Sequence, residues 1–309
     1  MWIAIAVITV VVLAVFATSL ATYCIAFFSP YKNQNDPHRL TDEVERLPQK
    51  NDMVLLIDEM IARPFEKVQT KSFDGLTLVG KYYHVADDAP LAICFHGYRG
   101  VAERDYCGGG KFLLEHRQNV LLVDQRAHGA SQGHTLTFGI RERLDVLSWV
   151  NFAKKTYGEK VKIALYGVSM GAATVLMSAD LPLPKNVKVI VADCPYSSPK
   201  EIIQKVCRDK KLPAKLVYPF IWLGAATFGR FNLNKGSAVE SVKKAQVPVL
   251  IIHGEADGFV PCEMSRKIYR ANPEKIRLET FPDADHGLSY VTDTERYVNV
   301  CEDFLSKHL

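Results

Sequence analysis

Residues 2–28 carry no charged side chain, and their only polar ones are small hydroxyls, Tyr23 and Cys24. A helix of about 20 apolar residues spans a bilayer, so this run is long enough to be a transmembrane helix. Residues 51–61 then carry a helical period that ends before Pro64. Residues 68–73 and 76–85 alternate apolar and polar around Asp74-Gly75, the signal of a hairpin. Beyond residue 90 the pattern changes. Short, mainly apolar runs at 91–95, 119–123, 161–166, 187–192 and 247–252, and a last, more mixed one at 276–281, are separated by longer stretches. The stretch 140–156 has a helical period, and 292–305 reads as a closing helix. Strands that are apolar throughout are buried on both faces. The pattern therefore predicts an α/β domain, a mainly parallel eight-stranded sheet with helices on both sides.

The segment 195–242 breaks this alternation and mixes basic with aromatic residues, among them Tyr218, Phe220, Trp222 and Phe228. A segment of that length between strands predicts a small helical cap. The chain of 309 residues thus divides into a membrane helix (1–30), a juxtamembrane linker with a short helix (31–64) and a domain (65–309) whose cap insertion covers about 196–242. No Lys or Arg precedes the apolar run, which argues against a cleaved signal peptide and for a retained single-pass anchor. Lys32, Arg39 and Arg46 follow it and favour a cytoplasmic domain, although Asp36, Asp42, Glu43 and Glu45 dilute the bias.

Net charge is +4, and the charges are interspersed, which excludes a basic footprint for nucleic acid. The seven cysteines are irregularly spaced, and Cys94 and Cys194 lie in apolar runs. They read as buried free thiols rather than a disulfide framework, and no Cys/His cluster has zinc spacing.

The candidate chemistry starts at Gly167-Val168-Ser169-Met170-Gly171, which joins an apolar strand to a helical run. Strand, G-x-S-x-G and helix in that order form a nucleophile elbow, which lifts a serine hydroxyl over the sheet edge. A serine needs a base and an orienting acid, which follow it in the order acid, then histidine. His253, His286 and His308 are the downstream histidines. His253 precedes any suitable acid, and His308 is the penultimate residue and expected to fray. That leaves His286, just after the last strand. Glu255 and Asp257 follow the preceding strand, with Asp283 and Asp285 as rivals by proximity. One oxyanion donor is expected from the N–H of Met170 and the other from the His96-Gly97-Tyr98 loop, at Tyr98.

With these motifs in place, residues 65–309 resemble the α/β-hydrolase superfamily, and membrane-anchored bacterial-type esterases and abhydrolase-domain proteins in particular. The matching pieces are His96-Gly97, Asp124-Gln125-Arg126-Ala127-His128-Gly129-Ala130-Ser131, the elbow, His253-Gly254-Glu255-Ala256-Asp257 and Asp285-His286-Gly287. The resemblance implies Asp257 as the acid and a structural role for Asp124, Arg126 and His128. It implies a serine hydrolase that takes a small-molecule acyl ester, or an amide or thioester, with no metal and no organic cofactor. A non-catalytic module of the same fold is the rival from another class. A dehalogenase or epoxide hydrolase is disfavoured, because those carry Asp at the elbow.

Overall fold

A computed structural model describes residues 1–30, 36–40, 42–45 and 48–309. Lys32 and Arg46, two of the three basic residues in the charge argument for orientation, lie outside the described residues.

The sheet is built from β1 (Glu66–Lys71), β2 (Thr77–Tyr83), β3 (Leu91–Phe95), β4 (Asn119–Asp124), β5 (Ile163–Val168), β6 (Val187–Asp193), β7 (Val249–Gly254) and β8 (Ile276–Phe281). Their order is β1-β2-β4-β3-β5-β6-β7-β8, and every pairing except those of β2 is parallel. The mainly parallel, eight-stranded expectation holds. β1 lies two residues before its expected 68–73, and β2 is shorter than the expected 76–85: Ser72 leaves β1 because its Oγ accepts from Leu76 N–H at 2.8 Å and donates to Asp74 at 2.6 Å. A side chain that bonds its own turn ends the strand early.

The helices are α1 (Trp2–Ala26), α2 (Asp42–Glu45), α3 (Lys50–Ala62), α4 (Ala102–Asp105), α5 (Cys107–Glu115), α6 (Glu142–Tyr157) and α7 (Met170–Met177). After them come α8 (Pro199–Asp209), α9 (Ala214–Thr227), α10 (Ala238–Val242), α11 (Glu263–Ala271), α12 (Ser289–Thr292) and α13 (Thr294–His308). Strand periodicity sends alternate side chains to two layers. Leu91, Ile93 and Phe95 of β3 join Val249 and Ile251 of β7 in one core, with Trp149 of α6 and Val175 of α7. Ala92 and Cys94 join Leu250 and Ile252 in the other, with Phe112 of α5 and Phe304 of α13. Asp293 caps α13 by accepting from Arg296 N–H at 3.0 Å. That helix runs through His308, whose ring packs on Phe304, so the expected fraying does not occur.

Between β6 and β7 the chain folds into α8, α9 and α10. Aromatics of α9 are tied within this layer: Tyr218 Oη donates to Asn234 at 2.9 Å and Trp222 Nε1 to Asn232 at 3.1 Å. α1 is long and apolar enough to cross a membrane, and its first fourteen residues, at 1.5 Å each, project from the domain before Phe16 meets Phe228 edge-on. Its last turns do not. Ser19, Tyr23 and Phe27 are buried against α9, Phe138 and Phe231. The cysteines are free thiols, all buried except Cys24.

Candidate active site

Ser169 sits where β5 turns into α7, with φ 54° and ψ −113°. A serine with positive φ is strained, and strain of this kind is held only by tight surroundings. Those surroundings explain both glycines of the motif. A Cβ on Gly167 would come within 2.3 Å of the Gly171 carbonyl group, and one on Gly171 within 1.8 Å of the Phe95 carbonyl oxygen. Any side chain at either position forces the backbone of β3 or α7 aside.

The loops after β7 and β8 bring two predicted partners to this serine. Ser169 Oγ lies 2.9 Å from His286 Nε2, and His286 Nδ1 lies 2.7 Å from Asp257 Oδ2. An ionised carboxylate only accepts, so Nδ1 carries the imidazole proton and donates it to Asp257. Nε2 is then free to accept from the serine hydroxyl. Burial works against charge on Asp257, but hydrogen bonds from His253 and His286 outweigh it and hold the carboxyl well below the usual range. Its Oδ1 also accepts the N–H groups of Phe259 and Val260 at 2.9 and 2.7 Å. The rival acids are engaged elsewhere: Glu255 pairs with Arg266 at 2.8 Å, Asp285 accepts from Gly258 and His286 N–H, and Asp283 is exposed.

Met170 opens α7, so its N–H is one of the donors that a helix leaves unpaired at its N-terminus. The His96–Gly100 loop runs alongside, and a methyl on Gly97 would sit 3.5 Å from Ser169 Cβ. Gly97 N–H donates to Asp105 at 2.8 Å and Arg99 N–H to His128 Nε2 at 3.0 Å. The Tyr98 N–H between them meets no acceptor among the described residues.

The Asp124–Ser131 segment braces this loop. Asp124 accepts from Ala130 N–H, Arg126 is buried between Asp74 and Asp145, and His96 Nε2 accepts from Gln125 N–H at 3.1 Å. Burial holds His128 well below its usual pKa, leaving it neutral and able to accept from Arg99.

Three residues escaped sequence reasoning. His253 was set aside as preceding any acid, yet its Nε2 lies 3.2 Å from Asp257 Oδ2 and its Nδ1 2.6 Å from Ser265 Oγ. Its four-residue spacing to Asp257 was the available signal. Asp105 and Asp193 gave none. Asp193, at the end of β6, is 6% exposed, with Oδ1 unpartnered among the described residues. Burial pushes its carboxyl up to about 7. Cys194, Asp257 and His286 place potential metal ligands within 4.8 Å of one another. Burial raises the Cys194 thiol, however, and a protonated thiol is a poor ligand.

A cleft of about 400 Å³ opens at Ser169 and His286. Tyr98, Phe112, Phe259 and Tyr290 are among its lining residues, and Asp193 lies at its wall. No residue of α8, α9 or α10 lines it, and Tyr218, Trp222 and Phe228 pack in or against the core instead.

The family model described as alpha/beta hydrolase fold matches residues 90–218. The chain is 26% identical over 251 residues to the uncharacterized protein YqkD of Bacillus subtilis, covering 78% of this chain and 81% of that one. It is 28% identical over 243 residues to the bifunctional esterase/perhydrolase DCH of Acinetobacter calcoaceticus, covering 65% of this chain and 86% of that one. The solved esterase Pf2001 of Pyrococcus furiosus superposes with a TM-score of 0.65 at 25% identity, covering 81% of this chain and 93% of that one.

Proposed function

We propose a function for a chain that is, by fold and by family match, an α/β-hydrolase: it cleaves carboxylic esters through an acyl-enzyme on Ser169. The hydrogen-bond chain from Ser169 through His286 to Asp257, seated on the strained elbow, is the observation that carries this reading. The esterase neighbours support a hydrolase of this class.

In the reaction, Ser169 Oγ attacks the ester carbonyl while its proton passes to His286 Nε2. Asp257 keeps the imidazole in the tautomer that can receive it and stabilises the imidazolium that results. The carbonyl oxygen, now negative, is held by the N–H groups of Met170 and Tyr98, aided by the N-terminus of α7. Collapse expels the alcohol, which takes the proton from His286. Water, deprotonated by the same histidine, then releases the acid and restores Ser169. The cleft beneath the serine, largely apolar in its lining, accommodates an acyl or alcohol group.

Retention of α1 as a single-pass anchor belongs to the same proposal. Its support is that residues at the end of the helix, Phe27 above all, are core residues of the domain. Cleavage beyond them would open that core.

Ser169→Ala is expected to lower kcat by something like 10⁶-fold, the scale on which comparable triads lose activity with their serine. A fluorophosphonate probe is expected to label wild type and not the variant. Turnover within tenfold of wild type would sink the assignment. Matched ester, thioester and aminoacyl-amide substrates test the bond type. A preference for thioester or amide leaves Ser169 as the nucleophile and replaces the ester class.

A further inference from the structure

The helix that reads as a membrane span also grips the loop that carries the second oxyanion donor. Tyr98 Oη donates to the Ala26 carbonyl at 2.9 Å. Arg99 Nη2 donates to the carbonyls of Ile25 and Phe28 at 3.0 and 3.2 Å. Ile25 and Ala26 are among the last carbonyls of α1, which an α-helix cannot satisfy internally. A loop donor that reaches them gains a bond the helix end otherwise lacks.

A second path runs through rings. Phe27, fully buried, stands edge-on to Phe138 with centroids 5.7 Å apart, and Phe138 packs on Tyr98 at 5.1 Å. Tyr98 is therefore held at its hydroxyl by backbone of α1 and at its ring face by an aromatic that α1 packs. The loop needs such support. Arg99 has φ 51°, a left-handed conformation that costs a non-glycine residue free energy and persists only where the surroundings enforce it.

α1 is in turn seated on α9, none of whose residues lines the cleft at Ser169. The helices approach so closely that a Cβ on Gly224 would lie 2.4 Å from the Ser19 carbonyl oxygen. Thr22 Oγ1 lies 2.9 Å from the Ser19 carbonyl oxygen and 3.2 Å from that of Phe220 across the same contact, so its one proton is shared between them.

We propose that the end of α1 is a positioning element of the active site: its seat against α9 fixes where the Tyr98 amide N–H points, so anchoring and oxyanion stabilisation are coupled. The inference rests on Tyr98 N–H being an oxyanion donor. The coupling is strong because the geometry is narrow. A donor must stand ~2.7–3.1 Å from the developing oxyanion, and a misplacement of ~1 Å can cost ~10²-fold in rate. Tyr98 and Arg99 side chains act through the loop backbone, and α1 acts through both.

The test uses the full chain in detergent micelles and four loop or helix variants. Tyr98→Phe removes the hydroxyl and keeps the ring. Arg99→Gln removes the charged fork, and Arg99→Lys restores part of it. Gly224→Ala pushes α1 off its seat without touching the loop. Ile8→Ala, on the projecting part of α1, is the control. Each is assayed for kcat and KM on a p-nitrophenyl ester, for inhibition by a trifluoromethyl ketone that forms a tetrahedral adduct on Ser169, and for thermal unfolding.

Tyr98→Phe, Arg99→Gln and Gly224→Ala are expected to lose about tenfold in kcat, with KM within about twofold, and to weaken the ketone by the same factor as kcat. Arg99→Lys is expected to recover part of the loss, and Ile8→Ala to match wild type. Folded Tyr98→Phe and Gly224→Ala proteins with wild-type kcat overturn the proposal, as does a loss confined to KM. If Gly224→Ala does not fold, Tyr98→Phe alone decides on the same criteria. Ser169→Ala separates the two levels. An inert serine variant beside unchanged loop variants ends the coupling alone, whereas an active serine variant ends the hydrolase reading beneath it.

Discussion

Two buried carboxyls near Ser169 are driven in opposite directions. Asp257 stays charged because His253, His286 and two backbone N–H groups stabilise the anion more than burial penalises it. Asp193 has an unpartnered oxygen, and burial lifts it to about 7, with the Asp257 charge adding to the shift and His253 opposing it. An unfolded Asp titrates near ~3.9, so between about pH 4 and pH 7 the folded chain binds more protons at Asp193 than the unfolded chain does. Stability from this group is therefore lost as pH rises through that window. Asp193→Asn cannot ionise and removes the slope. Relative to wild type, the variant is expected to gain about 2 kcal/mol in unfolding free energy between pH 5 and pH 8. Urea denaturation at the two pH values measures it, and an equal difference at both would show that Asp193 does not titrate there.

At the scale of elements, the elbow is one unit made of the end of β5, the turn and the start of α7. Gly171→Ala places a methyl within 1.8 Å of the Phe95 carbonyl oxygen, so β3 and α7 cannot both keep their places. Overpacking of this kind typically costs ~1–3 kcal/mol. A larger loss of activity than of stability is expected, since Ser169 and the Met170 N–H both move. Activity per folded molecule, compared with the thermal midpoint, distinguishes this from simple unfolding. Unchanged activity per folded molecule would show that the elbow tolerates the shift. The elbow was readable from sequence because everything it needs lies within five residues. The buried strands were readable because apolar runs on both faces leave a continuous signature. Asp257 needed the family resemblance, since Glu255 had an equal claim by spacing alone. What sequence could not give were contacts between loops: Asp105 under Gly97, His128 under Arg99, and His253 beside Asp257. Such pairs have no local period to reveal them.

At the scale of the whole molecule, α1 shows why an apolar run hides its own division of labour. A helix that is hydrophobic on every face gives no periodic signal to separate a seam against protein from a surface facing lipid. The break falls near Val15, from where Phe16 packs on Phe228 and the helix runs on against α9. The projecting part, about 14 residues, is roughly 21 Å long, less than the ~30 Å of a hydrocarbon core. If it spans a bilayer, the α9 side of the domain must lie against the membrane surface. Two truncations separate the functions. Removal of residues 1–14 is expected to release the protein from membranes and leave its thermal midpoint and kcat close to those of the full chain. Removal of residues 1–29 also takes Tyr23 and Phe27 out of the core. Truncating one buried Phe side chain typically costs ~3–5 kcal/mol, so a loss at least that large is expected, together with a fall in kcat in whatever fraction stays folded. Membrane fractionation, thermal unfolding and turnover on the same two proteins give the comparison. Equal stability and turnover for both would mean that the domain does not use α1. A short truncation as damaged as the long one would place the working part of α1 in its projecting half.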